Sequence, residues 1–381
     1  MTANKIKISP FNWVTLFIPM VVIALFFGLR PVGGSIANGV QRLDDIRGIR
    51  FQGKGIAYVA DLREVWPERQ SSPVTIEMAV TPGSTQRQGF NPIFLMHDGD
   101  DRRQLVIWQY GPSLIVMNGD DYSYRRRWPR VVARDVFASH QTNYLTVTTD
   151  AQGTRLYIDG IQFDAKKDWQ LTIPVKGAPL RLVLGNSIHG KHGWSGDLHG
   201  LAASNAALPA DAVLNRYEHW EAGRNFDFLK SESPKLLYTF DQPSGARFSD
   251  ASQGHDLVVP RYMAAPDKRI LELPGKYTIW NRAAAGDMLV NVVGFMPLGI
   301  VFYGVLQGFS GPLGRHARLT AVAFCMLLSL GIELAQAWIP TRYSSLMDLI
   351  LNTVGACLGV VGWELFRRLK RKRCLTGGAR R

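Results

Sequence analysis

Four stretches of this chain are long and apolar enough to demand a bilayer, and they frame everything else about it. They run from Trp13 to Leu29, Met288 to Leu306, Leu319 to Ile339 and Leu346 to Phe366, against the roughly 20 residues that a crossing helix needs. Backbone groups in hydrocarbon must bond within their own segment, so each stretch is expected to be helical. Lys5 and Lys7 precede the first run. Arg315, His316 and Arg318 lie between the second and third. Arg367, Arg368, Lys370, Arg371, Lys372 and Arg373 follow the fourth, whereas the short loop between the third and fourth holds only Arg342. All the basic clusters fall on one side if both termini are cytoplasmic, which leaves residues 31 to 286 outside. A cleaved signal peptide is the rival for the first run, but Gly28-Leu29-Arg30-Pro31 is a poor cleavage site, so a retained helix is favoured.

The net charge of +13 is concentrated in those flanking clusters. It marks a membrane edge rather than a nucleic-acid surface, since no nucleic-acid module accompanies it. Of the three cysteines, Cys325 and Cys357 lie in apolar runs and Cys374 follows the basic tail. The middle of the chain has none, which excludes a disulfide-stapled fold there. Cys374 is a candidate for acylation, with an inert tail thiol as the plainer reading.

Between residues 36 and 277 the pattern changes to short runs broken by turn residues: Val74–Val80, Pro92–Met96, Gln104–Gln109, Ser113–Met117, Tyr144–Thr149 and Arg155–Ile158. Asn118-Gly119 and Asp159-Gly160 are strong turn pairs. Strands about ten residues apart predict an antiparallel β-sandwich, with one helix over Ala210 to Ala222. The domain plan is a cytoplasmic N-terminus and first helix (1–30), an extracytoplasmic sandwich (31–277), a region of three transmembrane helices (278–367) and a basic cytoplasmic tail (368–381).

Arg155-Leu156-Tyr157-Ile158-Asp159-Gly160, then Leu182-Val183-Leu184-Gly185-Asn186, then Trp194-Ser195-Gly196-Asp197-Leu198 and Ala207-Leu208 follow in order. This succession resembles the concanavalin A-like laminin-G family over residues 70 to 222. The resemblance implies a jelly roll of a kind that often binds glycans, sometimes with calcium. Leu237-Tyr238-Thr239-Phe240-Asp241, Asp250 and Gly254-His255-Asp256-Leu257 look like the family's opening strands, displaced to follow the main block, and are expected to complete the sandwich. Aromatic platforms and polar loops make Asp98, Trp108, Tyr110, Asn118 and Trp194 the glycan-binding candidates, with Asp100, Asp101, Asp120 and Asp121 beside them. The plainer reading is a core anchor for Trp194 and ordinary turns for the acidic loops. His189, His192 and His199 are close in sequence but lack zinc-site spacing.

The apolar runs carry polar residues of their own. Asp287 and Asn291 open the second run, Glu333 and Gln336 close the third, Arg342 sits in the outer loop, and Asp348 and Asn352 open the fourth. Spacings of three and four put each pair on one helix face, and the topology puts all seven at one depth near the outer surface. Charge within a span is costly, which argues against facing lipid. Two readings remain open: convergence on a shared pocket, or hydrogen bonds and helix caps that pin helix to helix. Gly355 and Gly359 suit close helix contact, and Gly294 and Pro297 are candidates to kink the second membrane helix.

Asp287-x3-Asn291-x3-Phe295-x-Pro297-Leu298-Gly299, Glu333-x2-Gln336, Arg342 and Asp348-x3-Asn352-x2-Gly355 resemble the VanZ-like family over residues 280 to 366. The family is named for a protein conferring low-level resistance to a lipoglycopeptide antibiotic. The resemblance implies a multi-pass protein of the bacterial cytoplasmic (inner) membrane and a link to glycopeptide tolerance or surface polysaccharide. The large insert departs from the family's simplest members. The leading expectation is a binding or envelope-maintenance protein that meets the bilayer, a glycan or lipid-linked glycan, or an envelope protein, and no nucleic acid. The alternative is an enzyme on lipid-linked glycan intermediates, with Glu333 or Asp287 as acid or base; no nucleophile motif, metal-ligand set or nucleotide loop accompanies it. A purely structural assembly factor is the third reading.

Overall fold

The computed structural model describes residues 10–31, 36–67, 73–83, 89–122, 124–138, 141–176, 178–242, 246–252, 254–273 and 282–377. Lys5, Lys7 and the boundary expected between 277 and 278 lie outside the described residues, as do the side chains of the basic tail beyond Lys370, Cys374 among them. The chain forms two compact units, residues 36–268 and residues 1–35 with 269–381.

The first unit is a sandwich of two antiparallel sheets. Numbered along the chain, one sheet runs β1 (Val40–Arg42), β2 (Ile49–Gln52), β13 (Ser195–Ser204), β4 (Val74–Pro82), β9 (Asn143–Asp150), β10 (Gly153–Ile158) and β11 (Ile161–Lys167), with β14 (Leu236–Tyr238) also paired to β13. The other runs β15 (Arg247–Phe248), β16 (Leu257–Val258), β3 (Ala57–Val59), β12 (Arg181–Leu184), β5 (Phe90–His97), β6 (Leu105–Tyr110), β7 (Ser113–Asn118) and β8 (Arg130–Ala133). The core between them includes Phe51, Ile76, Met78, Phe94, Ile107, Leu156 and Trp194. Of the two expected turn pairs, Asp159-Gly160 forms a two-residue hairpin, with positive φ of 51° and 77° as a turn of primed type requires, whereas Asn118 ends β7 and Gly119 opens a longer loop.

The displaced segment does complete the sandwich. Its strands close both sheets, β14 on β13 and β16 on β3. Asn38 and Met263 then bond the backbones of Arg261 and Ile36, so the incoming and outgoing ends of this unit run side by side, as an insertion requires.

Helix α2 (Ala210–Gly223) lies over the outer face of the first sheet. Val213 and Trp220, two turns apart, form its buried stripe. Trp220 packs with Ala79, Tyr144, Ala202, Phe226, Leu229 and Leu237. Strand β4 is therefore buried along both faces, and Glu77, on its outer side and 1% exposed, pairs with Arg216 of α2 while accepting the Tyr144 hydroxyl at 2.9 Å.

The second unit holds helices α1 (Pro10–Leu29), α3 (Arg282–Leu306), a single turn α4 (Pro312–Arg315), α5 (Ala317–Gln336) and α6 (Leu346–Gly377). Among the described residues three stretches are long and apolar enough to cross a membrane: Ala285–Leu306, Ala317–Gln336 and Leu346–Lys370. The remaining expected run forms a shorter apolar helix, α1. The apolar part of α1, Trp13–Leu29, is about 26 Å long at 1.5 Å per residue, short of the ~30 Å hydrocarbon thickness. Helices α3 and α6 meet along a seam of small residues. A Cβ on Gly355 would stand 2.1 Å from the Val292 carbonyl oxygen, and one on Gly359 2.2 Å from that of Met296. Pro297 lies within α3, which continues through it.

Candidate functional site

The seven polar membrane residues separate into groups with different partners. Arg342 donates through Nε to the Arg30 carbonyl at 2.8 Å and through Nη2 to that of Phe27, and Gln336 Nε2 donates to the Gly28 carbonyl at 2.8 Å. Phe27 and Gly28 belong to the last turn of α1, whose carbonyls lack intrahelical partners, and Arg30 follows it; a cation there complements the helix dipole. Glu333, 2% exposed, accepts the Ser345 N–H through Oε2 at 2.7 Å. Ser345 precedes α6, and its Oγ accepts the Asp348 N–H at 3.3 Å. In a capping box the third-position acid would return to the cap N–H; here Glu333 of α5 takes that role, which turns the Asp348 carboxylate elsewhere. Deeper in, Asn352 Nδ2 donates to Ser329 Oγ at 2.9 Å, joining α6 to α5, and Asn352 Oδ1 is buried without a hydrogen-bond partner.

What remains is a small acidic group. The Asn291 amide and the Asp287 carboxylate both stand near the Asp348 carboxylate. Arg342 adds its charge to Asp348 and Glu333. Asp287 is exposed, while Asn291 and Asp348 are half-buried. Backbone groups at helix ends are thus the main partners of Glu333, Gln336 and Arg342, and Asp287, Asn291 and Asp348 form the part open to another molecule.

Of the glycan candidates in the sandwich, only Tyr110 presents itself to solvent, 46% exposed and stacked on Phe90 at 4.8 Å. Trp108 is fully buried on the outer side of the second sheet, against Phe90 and Tyr122. Trp194 is 1% exposed and donates Nε1 to Gln109 at 2.8 Å. Neither ring is a surface platform. Asn118 holds both backbone groups of Thr172, at 2.8 and 2.9 Å, and Asp98 is buried against Arg103 at 2.8 Å. Asp100 faces the same Arg103, Asp120 faces Arg126 and Asp121 faces Arg130. Asp101 accepts from His97 and His189, at 3.0 and 3.1 Å.

Residues 236–367 match the VanZ/LLP1 family model. The membrane region is VanZ-like. The match begins within the closing strands of the sandwich, at β14. Residues 57–214 match the concanavalin A-like lectin/glucanases superfamily. No curated protein matches the chain. Among solved structures, a Bacteroides ovatus protein provisionally assigned to carbohydrate binding has a TM-score of 0.40 at 14% identity, over 57% of this chain and 58% of its own. The botulinum neurotoxin serotype D binding domain has a TM-score of 0.36 at 12% identity, over 50% and 47%. The binding domain of Paraclostridial Mosquitocidal Protein 1 has 0.34 at 15%, over 49% and 48%. The chain thus spans between 47% and 58% of the length of these structures.

The VanZ-like bundle also carries a polar group that its sequence did not single out. Glu364 of α6 accepts the Tyr303 hydroxyl at 2.5 Å and pairs with Arg318 of α5, with Arg368 at 3.9 Å. This ties the far ends of α3, α5 and α6. The signal was available, since Glu364 is the one acid in the fourth apolar run beyond Asp348, but the basic tail beside it masked it. As for calcium in the sandwich, no three acidic, histidine or cysteine side chains among the described residues gather as a metal site. Four of the five loop aspartates face arginines and the fifth faces histidines.

Proposed function

We propose that this chain is a glycan-binding protein of the bacterial cytoplasmic membrane, with α1 and the three longer helices all crossing and both termini cytoplasmic. The concanavalin A-like sandwich stands on the outer face and binds surface polysaccharide or lipid-linked glycan; the VanZ-like bundle anchors it. The observation that carries this reading is the insertion itself: a lectin-type sandwich with paired incoming and outgoing ends interrupts a VanZ-like bundle between α1 and α3. Helix α1, although short, is supported as a crossing element by Arg342 and Gln336 on its last carbonyls, and a short span is accommodated by local thinning of the bilayer. Most polar groups of the bundle hold helix ends, which favours an anchoring role for it. The link to glycopeptide tolerance follows from the polysaccharide: a protein bound to surface glycan alters how a bulky glycopeptide reaches the membrane.

Chemistry on lipid-linked glycans is the second reading, and Asp287 beside Asp348 favours it over Glu333, which is buried and engaged. A polysaccharide array probed with the full chain in lipid nanodiscs tests the first reading. Retention of at least one envelope polysaccharide supports it, and retention of none removes it.

A further inference from the structure

A cleft of about 410 Å³ opens on the first sheet, beside the end of α2. Its volume falls in the range of small-molecule sites. Arg47, Thr142, His199, Trp220, Arg224 and Asn225 line it, and Ile46, 57% exposed, stands at its rim.

Two local features aim polar groups there. The pairing of β13 with β4 slips between Leu198 and Gly200, leaving His199 on a β-bulge, a device that re-aims a side chain and recurs near functional sites. Arg224 ends α2 at φ 48°, ψ 34°, where a left-handed cap ordinarily calls for glycine; its guanidinium covers the Trp220 ring at 4.5 Å. Trp220 itself lies buried beneath that guanidinium, 1% exposed.

The chemistry on offer is directional. His199 Nδ1 faces the Arg47 carbonyl at 3.2 Å, so that nitrogen carries the hydrogen, and Nε2 faces Thr81 Oγ1 at 2.7 Å. Burial lowers the imidazole pKa and favours this neutral form. Nε2 then accepts from the Thr81 hydroxyl, and Thr81 Oγ1 accepts from that of Thr142 at 2.6 Å. Thr142 is left presenting lone pairs, suited to a sugar hydroxyl. The other polar groups are donors: two guanidiniums and the Asn225 amide. Among the described residues no carboxylate lines the cleft, although Asp227 and Glu221 pair with Arg47 and Arg224 from outside it. Each guanidinium has five N–H groups, more than one such partner occupies.

We propose that this cleft binds a saccharide bearing an anionic group, carboxylate or phosphate, with Arg47 and Arg224 on the anion and Thr142 on a hydroxyl. The proposal rests on the glycan-binding reading and names its site and ligand class. The full chain in lipid nanodiscs is titrated with a uronic acid polymer, a glycerol-phosphate polymer and dextran, at two salt concentrations. Arg224→Gln and Ile46→Trp change exposed positions, and their thermal midpoints report folding. Binding of one or both acidic polymers that weakens with salt and falls about tenfold or more in each variant supports the proposal; which polymer binds tells carboxylate from phosphate. Acidic-polymer binding untouched by either variant overturns the cleft, and preference for dextran overturns the ligand class; both leave the glycan reading standing. Retention of none of the three overturns the proposal, and the polysaccharide array then decides whether the glycan reading falls with it.

Discussion

Replacing Glu333 by leucine should destabilise the bundle modestly, and the size of the loss should depend on Asp348. The wild-type carboxylate accepts the Ser345 N–H at the start of α6. Leucine leaves that donor without its partner, a loss on the order of 1–3 kcal/mol for a buried group. Asp348 stands three residues past the cap, its own N–H already on Ser345 Oγ, so its carboxylate can turn back and complete an ordinary capping box. That rescue recovers about 1 kcal/mol, the usual worth of a cap. Glu333→Leu alone should therefore cost about 1 kcal/mol, and the same change on an Asp348→Ala background about 2 kcal/mol. Glu333→Gln keeps an acceptor and should stay within about 0.5 kcal/mol of wild type. The assay is thermal unfolding of the full chain in nanodiscs, followed by helical circular dichroism; for a unit of this size each kcal/mol moves the midpoint by roughly 3 °C. Equal damage from glutamine and leucine would show that charge, not the acceptor, matters. Strict additivity of the two changes would refute the rescue.

Other consequences are as direct. Reporter fusions at residue 150 and after Arg373 should lie on opposite sides of the membrane; both on one side would sink the four-span topology. Gly359→Leu forces a side chain against the Met296 carbonyl at the α3–α6 seam, so folded yield in membranes should fall sharply, while Gly294→Leu, with open space around it, should be tolerated. In the sandwich, Arg216→Met strands the buried Glu77 carboxylate and should cost roughly 3–5 kcal/mol at neutral pH. Burial already raises the Glu77 pKa and Arg216 holds it back. Without the arginine the folded-state pKa climbs further above the unfolded value, so the penalty is small below the unfolded carboxylate pKa and grows as pH rises through the carboxylate range. A melting-temperature deficit independent of pH would contradict this.

The apolar runs and most strands were legible because each rests on a local pattern. Val74–Val80, Ser113–Met117 and Ala210 to Ala222 recur within two residues as β4, β7 and α2. Partnerships were harder to read. Trp108 and Trp194 look like sugar platforms in sequence, yet Trp194 lies in the core between the sheets and Trp108, on the outer side of the second sheet, is covered by Phe90 and Tyr122. The outer face of β4 gave no clue that a helix would cover it, so Glu77 read as an ordinary strand residue. In the membrane region spacing grouped the polar residues on helix faces, but several of their partners are backbone carbonyls and N–H groups at helix ends, which leave no mark on a sequence. The cleft escaped notice for a related reason: Arg47, Thr142, His199 and Arg224 lie far apart in the chain and meet only through the bulge in β13 and the end of α2.

The claim that the sandwich is a glycan receptor held by a VanZ-like anchor is tested most directly by what the chain carries out of an envelope. Purified full chain, and a version with residues 36–268 replaced by a short flexible linker, would each be incubated with bacterial envelope extract and their bound molecules identified by mass spectrometry. Saccharide fragments on the full chain and lipid alone on the shortened one is the predicted result. Lipid alone on both, or the same saccharides on both, would contradict it.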